Sequence, residues 1–143
     1  MNICEEVISR RSFGRVICEI FNASERESRA EALQRFDYRN LSNDQWIRAD
    51  REEAKNVLTH CLSRDLAYDA EIMDVNEARS LATAFVESFP PEAFFMTNSQ
   101  AYLGADLVRN GIEWSPLSSA TFDTGIIAET DVVLGMLWVE DED

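Results

Sequence analysis

Residues 120–139 read ATFDTGIIAETDVVLGMLWV, and this stretch decides the fold. Two β-rich runs, Ala120 to Ala128 and Val132 to Val139, flank the polar group Glu129-Thr130-Asp131. That order predicts a C-terminal β-hairpin. Working back from it, Ala93-Phe94-Phe95-Met96-Thr97 is a second short apolar run and predicts a strand. Pro90-Pro91 stand before that strand and stop a helix opened by Asp74-x-x-Glu77, with Val75, Ala78, Leu81, Ala82, Phe85 and Phe89 at helical spacing. Between strand and hairpin, a helical turn or two is expected over Ser99 to Arg109, closed by Asn110-Gly111 as a left-handed cap.

Further upstream, Leu66, Tyr68, Ala70 and Ile72 alternate with Asp65, Ala67, Asp69 and Glu71, the two-residue repeat of a half-exposed strand. Before residue 64 the period is helical. Ile3, Val7 and Ile8 predict one short helix, and Phe13, Val16, Ile17, Ile20 and Phe21 a second. Ser24-x-x-Glu27 and Ser42-x-x-Gln45 are capping boxes, in which each side chain satisfies the other residue's free N–H. From the second box a helix is expected to run to about Leu62, burying Ala54, Val57, Leu58 and Cys61. Helices followed by strands indicate an α+β fold: one domain over residues 1–143, its helical N-terminal half packed on one face of a small, mostly antiparallel sheet. A chain of this length buries roughly 68–70% of its unfolded surface, so the core requires no metal or disulfide staple.

Charge divides the sequence. Residues 1–64 hold eleven Lys/Arg and eleven Asp/Glu, whereas residues 65–143 hold two bases against sixteen acids, the whole of the net −14. An acidic half repels nucleic-acid phosphates and attracts basic proteins. Cys4, Cys18 and Cys61 are odd in number, lie among apolar neighbours and form no CxxC, which predicts three reduced thiols in a cytoplasmic protein.

Catalytic patterns are scarce. His60, the only histidine, adjoins Cys61, but neighbours on a helix point about 100° apart, so the two cannot act as a nucleophile and its base. Neither HExxH, a Cys/His ladder, nor a phosphate-binding glycine loop occurs, and no cofactor or metal is implied. Asp123-Thr124-Gly125 matches the aspartic-protease triplet, but one copy cannot build a site that needs two aspartates sharing a proton. What remains is carboxylates beside tryptophans. Glu113, Trp114, Asp123, Glu129, Asp131, Trp138, Glu140, Asp141, Glu142 and Asp143 fall within residues 112–143 and are the expected partner-binding residues. The plainer account makes Trp114 and Trp138 core residues and Glu140 to Asp143 a solvated tail.

In size, acidity and lack of catalytic groups the chain resembles the immunity proteins that protect bacteria from nuclease toxins of contact-dependent and polymorphic toxin systems. The resemblance implies a non-enzymatic protein that binds a cationic toxin domain tightly and covers its nucleic-acid site. Two other readings share parts of this pattern. A DNA mimic would use the same negative charge against a DNA-binding protein, and a small carboxylate-dependent enzyme would draw on Asp65, Asp69 and Glu71 converging in a pocket.

Overall fold

The computed structural model describes residues 2–22, 28–104 and 114–142. Its elements run α1 (Ile3–Arg10), β1 (Arg15–Phe21), α2 (Arg29–Gln34), β2 (Ile47–Ala49), α3 (Arg51–Ser63), α4 (Val75–Glu87), β3 (Phe94–Thr97), β4 (Phe122–Glu129) and β5 (Leu134–Asp141). The five strands form one antiparallel sheet in the order β1-β5-β4-β3-β2. This is the expected α+β arrangement, and its centre is the expected hairpin: β4 pairs with β5 from Phe122↔Asp141 to Glu129↔Leu134.

Both faces of the sheet are covered. Cys18, Phe95, Ile126, Ala128, Leu137 and Val139 face a core shared with Val7 of α1 and the apolar stripes of α3 and α4. On the opposite face Ile17, Phe21, Met96, Ile127, Met136 and Trp138 pack against Ala32 and Leu33 of α2 and against Tyr38, Leu41, Trp46 and Leu117. Helices therefore lie on both sides, contrary to the one-sided packing expected. Double coverage explains why β4 and β5 are buried at nearly every position, where a half-exposed strand would alternate. Two glycines are demanded by contact: a Cβ on Gly125 would lie 2.7 Å from the Trp138 backbone, and one on Gly135 would overlap the Phe89 ring.

Several local expectations are corrected. Residues 15–21 form strand β1, not a helix. Val16, Ile17, Ile20 and Phe21 satisfy either period, and pairing with β5 from Arg15↔Glu140 to Phe21↔Leu134 decides between them. Ser24-x-x-Glu27 lies outside the described residues, and α2 is opened by a complete capping box between Ser28 and Glu31. Ser42 and Gln45 do exchange hydrogen bonds, but the chain turns there into β2, and the box that opens α3 joins Asp50 and Glu53. Residues 65–72 make a turn and not a strand. The Asp65 carboxylate accepts from Ala67 N at 3.1 Å, Asp69 takes φ 56°, and pairing is confined to the single bridge Arg64↔Glu71. Over Ser99 to Gly104 no helix forms, and Arg109, Asn110 and Gly111 lie outside the described residues.

The correction at β1 carries a chemical one. Cys4 and Cys18 form a disulfide, their Cα atoms 5.1 Å apart, and only Cys61 is a free thiol. Because α1 packs against β1, two cysteines placed on separate helices by periodicity become neighbours across a helix and a strand. Among the described residues no helix is long and apolar enough to cross a membrane.

Candidate partner-binding surface

The hairpin carboxylates serve the interior. Asp123 is 2% exposed and accepts from Leu117 N, Ser118 N, Ser118 Oγ, Asn98 Nδ2 and Trp138 Nε1, the last at 3.0 Å. Five donors converge on one carboxylate, and its role is to hold the 117–118 turn and the Trp138 indole against the sheet. Trp138 itself is fully buried, edge-on to Trp46. Asp141 is also fully buried, paired with Arg11 at 2.7 Å and accepting from Leu66 N at 2.8 Å. Arg11 spends its remaining donors on the carbonyls of Cys61, Phe13 and Arg64. These three residues, expected on a binding face, are structural because the second covering layer and the α3 terminus bring donors onto them.

Glu129 is nearly buried and pairs with Arg29 at 2.8 Å. Glu140 is half-buried and accepts from Arg15 and from the Tyr38 hydroxyl, at 2.9 and 2.5 Å. Burial, followed by this hydrogen bond to a carboxylate, pushes the Tyr38 phenol up from its ordinary value. Trp114 is half-buried, tilted on Phe122 at 5.3 Å, and lines a cleft of about 270 Å³ with Leu66, Ser99, Tyr102 and Thr124. Only Asp131 and Glu142 stand exposed among the described candidates. They occupy opposite ends of β5, an eight-residue strand roughly 25 Å long, so the expected residues do not make one surface. Glu113 and Asp143 lie outside the described residues.

A different group meets the description better. Phe13, Tyr68 and Val75 are 46%, 67% and 51% exposed, three of the five exposed large apolar side chains among the described residues. They belong to three segments tied together by adjacent arginines: Arg11 holds the Phe13 and Arg64 carbonyls, and Arg10 pairs with Glu77 of α4 at 2.5 Å. Glu71 and Asp74 stand exposed within the same stretch of chain. Between residues 65 and 92 there are seven acids and one base, Arg79, whose guanidinium is taken by Glu52 and Asn56. This end of the fold thus presents exposed apolar side chains beside Glu71 and Asp74, with Arg10 and Arg64 bringing positive charge to the same segments. Tyr68 escaped the sequence reading because period-two alternation buries it on a strand that does not form. Among the described residues no group of three or more His, Cys, Asp or Glu side chains is placed to hold a metal ion. His60 is buried and stacks on Tyr102 at 3.7 Å.

No protein-family model matches the chain, and no curated protein or solved structure matches it significantly.

Proposed function

We propose that this chain is a non-enzymatic binding protein that captures and neutralises a basic protein, as immunity proteins do with nuclease toxins. The observation that carries this reading is the exposure of Phe13, Tyr68 and Val75, on segments joined through Arg10 and Arg11, beside exposed Glu71 and Asp74. Carboxylates draw a cationic partner at long range and speed encounter, while desolvated aromatic and aliphatic side chains slow its escape. Occupying the partner's phosphate-binding site with carboxylates would block its access to nucleic acid.

The test uses a basic nuclease-toxin domain encoded beside this chain. Stoichiometric inhibition of its nuclease activity is expected. Glu71→Lys should slow association and flatten its salt dependence, and Tyr68→Ala should speed dissociation. Unchanged association and dissociation rates in both folded variants would overturn the assignment of this surface. Absence of any inhibition would overturn the function.

A further inference from the structure

The two edges of the sheet are unlike. β2 is three residues long, short enough to offer little to another strand, whereas β1 runs for seven residues, contains neither proline nor lysine, and pairs with β5 in unbroken register. Natural edge strands are often protected by shortness, proline, a bulge, charged side chains or a covering helix or loop; β1 lacks the first three and carries the charges Arg15 and Glu19. Among the described residues no strand pairs with its outer side. A groove of about 600 Å³ lies beside it, lined by Glu5 and Ile8 of α1, Ile20 and Phe21 of the strand, and Arg35.

Its charges are complementary to themselves. Arg15 and Glu19 stand on the same face of β1, four residues apart, flanking Ile17. Arg15 is more than half exposed, pairs with Glu140 and lies over the Tyr38 ring, and Glu19 makes no hydrogen bond or ion pair among the described residues. When two such strands pair antiparallel about a two-fold axis at Ile17, Arg15 falls opposite the second copy's Glu19, twice over. Residues directly opposite across an antiparallel pair have Cβ atoms roughly 5 Å apart, within ion-pair reach. All paired positions then share parity, so the buried faces of the two sheets stay on the same side.

We propose that β1 is the dimerisation edge of this protein, the partner being a second copy of the chain joined in a continuous ten-stranded sheet. Closed two-fold contacts of this isologous kind satisfy both edges at once.

Sedimentation equilibrium of the full chain, from low micromolar to sub-millimolar concentration, is expected to show a species of twice 16.3 kDa. Glu19→Arg breaks no hydrogen bond or ion pair among the described residues and places like charges opposite each other. It should weaken self-association roughly tenfold or more while leaving the thermal melt of the monomer intact. Arg15→Glu should weaken self-association likewise, with some loss of monomer stability because it also removes the ion pair to Glu140. An equimolar mixture of the two variants should recover the dimer, because the paired arginines of the first variant then face the paired glutamates of the second. A monomeric wild-type chain throughout the range, or a Glu19→Arg chain as dimeric as wild type, would overturn the proposal.

Discussion

Arg11 and Asp141, 130 residues apart, meet as an ion pair at 2.7 Å with both side chains wholly withdrawn from solvent. Every direction of the guanidinium is used: Cys61, Phe13 and Arg64 supply carbonyls and Asp141 both its oxygens. The pair fastens the ends of α1, α3 and β5 to one point. Gly14 follows because a Cβ there would run into the Asp141 carboxylate, and its φ of 65° suits glycine.

Removing one member of this pair strands the other. Arg11→Met is expected to cost about 3–5 kcal/mol, since an unpaired carboxylate stays buried. Replacing both, with Arg11→Met and Asp141→Leu, should cost less than the sum of the single changes. Urea unfolding of the three variants measures the coupling.

Asp123 organises the other side of the sheet. Asp123→Ala deprives five donors of their acceptor, and a loss of about 3 kcal/mol is expected, read as a lowered urea midpoint with unchanged slope. Gly125→Ala should cost about 1–3 kcal/mol by driving a methyl into the Trp138 and Leu137 backbone. By contrast Tyr68→Ala, on the exposed surface, should change stability by no more than about 0.5 kcal/mol.

The cysteines divide by environment. Intact mass measurement of the oxidised protein should show two hydrogens fewer than the reduced chain, and Cys18→Ser should destabilise by about 3 kcal/mol for a link spanning 14 residues. Burial pushes the Cys61 thiol up to about 12, so iodoacetamide at mildly alkaline pH should leave it unlabelled until denaturant is added.

Two exposed carboxylates set part of the acid limb of stability. Hydrogen bonding from Lys55 holds Glu87, and hydrogen bonding from Ser28 holds Glu31, below the ordinary 4.5. A carboxylate whose folded value is lowered contributes stability that is complete above its unfolded value and disappears as pH falls through the folded one. Both groups lie on the surface, so the effect is small and salt-sensitive. Lys55→Met should flatten the decline of the urea midpoint between neutral pH and about pH 3, and an unaltered slope would remove Glu87 from the account.

The regularities that the sequence displayed correctly were local ones. The terminal hairpin, helix α4 between its Asp74 cap and Pro90, and strand β3 each rest on near neighbours, and each stands where expected. Segments with two acceptable periods went the other way. Val16, Ile17, Ile20 and Phe21 fit a helix as well as a strand, and only the distant β5 chooses. The Cys4–Cys18 bond is a consequence of that choice.

The candidate site was less legible for a related reason. Residue type establishes that a carboxylate bears charge, and the division of charge at residue 64 is a property of the sequence alone. Whether the carboxylate meets water or a ring of donors depends on residues remote in the chain, Arg11 for Asp141 and Asn98, Ser118 and Trp138 for Asp123. A buried charge survives only where such partners converge, and their convergence exists only after the sheet has closed. Composition therefore determined the acidity and the order of local periods the fold class, while tertiary structure assigned Asp123 and Asp141 to the interior and left Tyr68, Val75 and Glu71 outside.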